Sequence, residues 1–253
     1  MRILVTNDDG IHAPGLGILQ ERLAAEHEVR VVAPDRERSA IAHAITLHMP
    51  LRVFEVSLGN GYRGHSVTGT PADCVKLAVF ELLGEKPDLV VSGINPGPNV
   101  GINLNYSGTV SAAREAALLG LPAIAVSVCS PEATRYDAAA DYVARLAGIV
   151  QSRGLPRGTF LNVNVPDVPR EEIRGVKICR QGGARLEEAF HKRRDPRNLA
   201  YYWQGSETQL FGEAPDEDGV ALREGYISVT PAHCDVTEYA LMKDLESWGI
   251  GEI

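Results

Sequence analysis

Two adjacent carboxylates, Asp8 and Asp9, close the stretch Arg2-Ile-Leu-Val-Thr-Asn-Asp-Asp-Gly10, an apolar run that stops at two acids and a glycine. Side-by-side carboxylates repel unless a proton or a cation lies between them. The pair reads either as a divalent-metal site or as turn chemistry alone, since Asn, Asp and Gly all tolerate positive φ. Ser39 and Asn95 stand at the ends of two other apolar runs. Carboxylate, hydroxyl and amide oxygens suit a hard cation such as Mg²⁺ or Mn²⁺, whereas zinc would favour His or Cys. Ser107-Gly108-Thr109 opens an alanine-rich helix, and such an end offers amide and hydroxyl donors with a positive dipole, which suit a phosphate. With Asn99 in the preceding loop, these are the candidate phosphate-binding residues. A cation facing an anion nest describes a phosphomonoesterase. The metal would polarise a phosphoryl oxygen and lower the pKa of bound water from about 16 towards about 7. One of Asp8 and Asp9 would then accept the proton of the attacking water.

For these residues to meet, the runs that carry them must be neighbouring strands. Residues 3–5 are short and branched, as in a strand buried on both faces. Leu16, Leu19 and Leu23 recur at helical spacing behind Pro14 and Gly15, giving a crossover helix over 15–26. A second strand over 29–33 stops at Pro34 and delivers Ser39 to the same edge. Residues 53–56 and 62–67 form a two-stranded excursion around Gly59-Asn60-Gly61. Thr70-Pro71-Ala72-Asp73 is a capped helix start, with the helix reaching about residue 83. The strand over 88–92 opens into a Gly/Pro-rich loop holding Asn95 and Asn99. The helix from Ser107 ends at Gly120, a strand follows over 122–128, and an amphipathic helix spans 136–151. Strand and helix alternate throughout, which predicts a doubly wound, mostly parallel α/β sheet. Beyond it, 160–165, 174–179 and 226–230 read as strands and 236–248 as a helix. Residues 186–218 are irregular, either loop or an arm that packs on another subunit. The expectation is a single domain over 1–253, with a core of about 1–165 plus 226–236. Residues 166–225 and 237–253 would be the arm and tail used in subunit exchange.

The net charge of −8 provides no basic footprint for a nucleic-acid polymer. No apolar run reaches the roughly 18 residues a membrane span needs, so a cytoplasmic protein is expected. Cys74, Cys129, Cys179 and Cys234 are far apart and read as reduced core residues. His12, His43 and His233 are lone histidines without a ligand role, Glu115 is a structural acid, and Asp216, Glu217 and Asp218 read as a solvated face.

Four motifs in order carry a resemblance: Asn7-Asp8-Asp9-Gly10, Arg38-Ser39-Ala40, Ser92-Gly-x-Asn95-x-Gly-x-Asn99 and Tyr106-Ser-Gly-Thr-Val110. Together they resemble the SurE family of survival proteins, metal-dependent 5′/3′-nucleotidases. The likeness is dense in the first half and thin in the second, where Tyr226-Ile-Ser-Val-Thr-Pro231 and His233-x-Asp235 carry it. It implies a Rossmann-like core and hydrolysis of nucleoside monophosphates. It also implies one divalent cation per subunit, held by residues matching Asp8, Asp9, Ser39 and Asn95, and a homodimer or homotetramer with exchanged C-terminal arms. Ala40 and Ala116 stand where many relatives have Gly, which bears on loop conformation and helix packing. The competing readings are a non-catalytic nucleotide or phosphate sensor, an aspartyl-phosphate phosphatase and a nucleotide-sugar glycosyltransferase. The phosphatase alternative usually shows Asp-x-Asp, whereas the acids here are adjacent.

Overall fold

Apolar residues alternate between two faces along the central strands, and that alternation decides the layering. The computed structural model describes residues 1–59, 61–205 and 208–250; Asn60, the middle of the expected hairpin turn, lies outside them. In β1 (Arg2–Thr6), Ile3 and Val5 join one apolar cluster and Leu4 joins another. The first cluster packs beneath α1 (Pro14–Ala24) and α4 (Asp137–Arg153). The second packs beneath α2 (Pro71–Leu77) and α3 (Gly108–Leu118), whose buried alanines let the helix approach the sheet closely.

The nine-stranded sheet adds β2 (Glu28–Pro34), β3 (Val53–Gly59), β4 (Tyr62–Val67), β5 (Leu89–Pro96), β6 (Ala123–Val128), β7 (Thr159–Val165), β8 (Val176–Ile178) and β13 (Ile227–His233). Its order is β3-β4-β2-β1-β5-β6-β7-β13-β8. The strands from β4 to β7 run parallel. β3 returns antiparallel to β4, and β13 antiparallel to β7. The 53–67 excursion is therefore no satellite: β4 extends the main sheet alongside β2. Successive strands proceed outward from β1 through β2, then restart on its other side at β5, so the order reverses between β1 and β5.

Helix α2 starts as its sequence dictates. Thr70 Oγ1 accepts from Asp73 N at 3.1 Å and Asp73 Oδ2 accepts from Thr70 N at 2.9 Å, a reciprocal cap. The α-helix stops at Leu77 and continues as a π-helical turn, Ala78–Leu82.

The long C-terminal stretch divides. β9 (Arg185–Leu186) pairs with β12 (Gln209–Leu210), and β10 (Phe190–Arg194) with β11 (Ala200–Gln204) in a hairpin exposed along its length. α5 (Asp218–Arg223) instead packs on the core through Val220 and Leu222. The acidic run at its start is solvated only at Asp216: Glu217 and Asp218 are buried, and the Asp218 carboxylate accepts from the amides of Gly101, Gly182 and Gly219 at 2.8–3.1 Å. Three amide donors satisfy this acid, which a charge count along the chain does not reveal. The chain ends in α6 (Tyr239–Ser247) on the surface. No helix among the described residues is long and apolar enough to cross a membrane.

Candidate active site

Open α/β sheets hold ligands beyond the carboxyl ends of their strands, where the strand order reverses. Here that place is the gap between the ends of β1 and β5. After β1, Asn7 folds the turn upon itself: its Nδ2 donates to Gly10 O at 3.0 Å, and Gly10 N donates to its Oδ1 at 3.2 Å. Asn7 is used up in building the turn, and of the two acids that follow Asp8 lines the cavity at the crevice. The loop after β2 is laced to the same turn, with Arg38 N donating to Asp8 O at 2.7 Å and Ile11 N to Pro34 O at 2.8 Å.

Asp8 is buried and faces the N-terminus of α3. Thr109 Oγ1 donates to its Oδ1. Burial pushes the Asp8 carboxyl up from its ordinary range, while the Thr109 hydroxyl and the amides of Thr109 and Gly108 favour the charged form. A Cβ built on Gly108 would lie 2.7 Å from Asp8 Cβ, so only glycine lets the helix end come this close. Ser107 caps the helix, its Oγ accepting from Val110 N at 3.1 Å. The donors of Ser107-Gly108-Thr109 are thus spent largely on Asp8 and on the helix itself.

Asp9 is half-buried. Burial, then the charge of Asp8, then that of Glu37 push its carboxyl up to about 7. Its Oδ2 is buried without a hydrogen-bond partner among the described residues. An unpaired buried carboxylate oxygen is costly, and a cation beside it would remove that cost. The donor set fits a hard divalent ion, because carboxylate, hydroxyl and amide oxygens suit such a cation.

Asn95 reaches the crevice through a break in the β5–β6 register between Ser92 and Asn95. Gly93 makes the break possible, with φ 141° and a hypothetical Cβ 2.4 Å from Val126 O. Asn95 Nδ2 donates to Pro96 O and Gly97 O at 3.1 and 2.7 Å. Its Oδ1 is the atom left for a ligand. Ser39 is exposed, and its Oγ donates to Glu37 Oε1 at 2.6 Å.

A cavity of about 450 Å³ gathers Asp8, Ser39, Asn95, Asn99 and Ser107 on one wall system. Asp9, Gly108 and Thr109 are not among its lining residues; the last two stand behind Asp8. Beneath the cavity lies a polar network that the linear sequence does not single out. Asn99 N donates to Asn164 Oδ1 at 2.8 Å, Asn99 Nδ2 to Ser127 Oγ at 2.9 Å, and Asn162 Nδ2 to Asn99 O at 2.7 Å. Its signal was present as Asn162 and Asn164, two amides alternating in an otherwise apolar strand. Glu115, read as structural, is buried on α3 and accepts from Lys76 and contacts His43 Nε2 at 2.7 Å. Burial pushes it up, but these two partners outweigh that and hold it below its ordinary value. The His43 contact, with Thr46 bound to Asp73, ties down the loop that follows Ser39.

The family model described as "Survival protein SurE" matches residues 3–188, which include every residue lining this cavity except Gln209. The chain belongs to the SurE family. Among SurE relatives, one from Desulfatibacillum aliphaticivorans is 70% identical over 250 residues, covering 99% of both chains. One from Syntrophobacter fumaroxidans is 51% identical over 250 residues, covering 99% of this chain and 100% of its own. Both are named 5′-nucleotidase SurE. The crystal structure of the SurE protein from Aquifex aeolicus is 40% identical and superposes with a TM-score of 0.85 over 98% of this chain and 99% of that one. The SurE likeness therefore extends through the C-terminal half, where motifs were sparse.

Proposed function

We propose that the chain is a divalent-metal-dependent phosphomonoesterase that hydrolyses nucleoside 5′- and 3′-monophosphates to nucleoside and phosphate. The observation that carries this reading is the crevice itself: a buried and a half-buried carboxylate, the second with an unpaired oxygen, at a cavity that Asp8 lines together with Ser39 and Asn95. The names of the full-length relatives supply the substrate class. Metal dependence is a general property of the family.

Asp8, Asp9, Ser39 and Asn95 are the residues that would hold one Mg²⁺ or Mn²⁺ per subunit, Asn95 through Oδ1. When bound, such a cation would supply Lewis-acid polarisation of a phosphoryl oxygen and would lower the pKa of the attacking water. The chain does the rest. Thr109 and Gly108 fix the Asp8 carboxylate, and Asp8, which lines the cavity, takes the proton of the attacking water. Asn99 and Ser107 line the same cavity and orient the phosphate. Asn162, Asn164 and Ser127 hold Asn99 in place.

The subunits assemble as a homodimer or homotetramer through the 187–205 hairpin and the C-terminal helix. The exposure of Phe190, Tyr201, Tyr202 and Trp203 on one, and of Tyr239, Met242 and Trp248 on the other, supports this. All four cysteines are free, in keeping with a reducing, cytoplasmic setting.

Phosphate release from AMP, with and without chelator and with Mg²⁺ or Mn²⁺ restored, tests the reading. Turnover that needs the cation supports it. Nucleotide binding without turnover under any of these metals would favour a sensor instead.

A further inference from the structure

The loop that carries Ser39 is held in shape by groups from outside it. Among the described residues, 35–52 link β2 to β3 without helix or strand, and Ala40 and Ala42 stand at φ 55° and 51°. Alanine rarely adopts the left-handed region, and such conformations persist only where the surroundings impose them. On the near side of Ser39, Arg38 N donates to Asp8 O at 2.7 Å. On the far side, Ala42 N donates to Tyr106 O at 3.1 Å and Thr70 Oγ1 to Ala44 O at 2.8 Å, while Thr46 donates to Asp73 through its N–H at 2.9 Å and its hydroxyl at 2.6 Å. The side-chain contact nearest to Ser39 on that side is His43 Nε2 with Glu115 Oε2, at 2.7 Å.

Glu115 is a costly residue to place beneath a loop. It is buried on α3, and its other oxygen, Oε1, faces Lys76 Nζ at 3.4 Å. Burial opposes its charge, yet the His43 and Lys76 contacts hold its carboxyl below the ordinary range. A carboxylate only accepts, so Nε2 is the protonated ring nitrogen of His43. If packing alone mattered, an apolar side chain of similar volume would often serve as well or better than a buried ion pair. What the carboxylate adds is direction, because it fixes where His43 and the loop must lie. The same helix holds Asp8 through the Thr109 hydroxyl. From 109 to 115 the helix rises ~9 Å, so one rigid element sets both the Asp8 carboxylate and the loop that bears Ser39.

We propose that Glu115 is a positioning residue for the cation: acting through His43, it holds the 39–43 arch so that Ser39 faces the cavity together with the Asp8 carboxylate. The proposal rests on the metal-dependent reading above and adds to it a residue that lies outside the ligand set. Neither Glu115 nor His43 lines the cavity, so their influence on the cation is carried by the loop.

The test is calorimetric titration of Mn²⁺ into the full-length, chelator-stripped protein, a measurement that needs no turnover. Loss of a partner behind a metal ligand costs ~10–100-fold in metal affinity, and that weakening is expected of both His43→Leu and Glu115→Leu. His43→Gln, which keeps an N–H donor at similar reach, should retain most of the affinity. Ser39→Ala decides the route. Once the hydroxyl is gone, adding His43→Leu should cost no further affinity, because both changes remove the same contact. Additive losses, or wild-type affinity in both Leu variants, overturn the proposal and leave the metal-dependent reading standing. Ser39→Ala protein that binds Mn²⁺ as tightly as the wild type also overturns it, since Ser39 is then no ligand. A wild-type protein that binds neither Mn²⁺ nor Mg²⁺ overturns the metal-dependent reading and the proposal with it. Stoichiometry reports the folded fraction and Kd reports the site, so a partly unfolded preparation does not mimic the loss.

Discussion

Thr109 offers the most direct handle on Asp8, because its hydroxyl donates to the carboxylate without lining the cavity. Thr109→Val keeps the shape and removes the donor. Loss of a partner behind a metal ligand usually costs ~10–100-fold in metal affinity or activity, and a cation titration of turnover should show that loss. Asp8→Asn should lower kcat by about 10²–10⁴, the range of a general base. The pH dependence follows from Asp9, whose carboxyl burial and the neighbouring acids raise from 3.8 to about 7. The cation-free fold holds a proton that the unfolded chain releases, so this stabilisation is complete below about pH 4 and is lost as pH rises through about 7. Chelated protein should therefore melt at a lower temperature at pH 8 than at pH 6. Proton and cation compete for the same group, so cation affinity should weaken below about pH 7, as calorimetric titrations at pH 6 and 8 would reveal. Asp8 and Asp9 were legible in the sequence because adjacent acids after an apolar run are an electrostatic anomaly. The task of Thr109 was not. Ser-Gly-Thr at a helix start looks the same whether its donors await a ligand or meet a carboxylate 101 residues earlier in the chain.

At the scale of elements, the site depends on how closely α3 approaches β1 and how the β5 loop is anchored. Gly108→Ala places a methyl against Asp8, and overpacking of this kind costs ~1–3 kcal/mol. Activity should fall further than stability, since the clash displaces the carboxylate itself; equal melting temperatures with full activity would contradict the arrangement. Asn164→Leu strands the Asn99 peptide N–H in a buried site, a loss of ~1–3 kcal/mol. For a chain of this length that is a drop of about 2–4 °C in Tm per kcal/mol, readable by calorimetry. The strands and crossover helices of the first half were readable from apolar runs punctuated by Pro, Gly and caps. α5 was not, because its entry is acidic and the amides that satisfy Asp218 come from Gly101, Gly182 and Gly219, two of them distant in sequence. The parallel place of β4 beside β2 was equally hidden, since a hairpin signal specifies the partner across its turn and not the neighbour on its other edge.

Across the whole molecule, the hairpin of β10 and β11 stands out, with Phe190 and Trp203 exposed on it. If the chain assembles through this hairpin as proposed, replacing residues 190–204 with a short Gly/Ser linker should yield a smaller species by sedimentation velocity. The unpaired oxygen of Asp9 has a consequence of another kind. A ligand that binds only the folded chain stabilises it by about 2.7 kcal/mol at a hundredfold excess over its Kd, and a cation held by Asp9 as proposed would also pair its buried oxygen. Cation supply thus becomes a determinant of lifetime as well as of turnover. In a cell depleted of divalent ions the chain would open more often to proteases and its abundance would fall, so that starvation for the ion would be registered as loss of the enzyme itself.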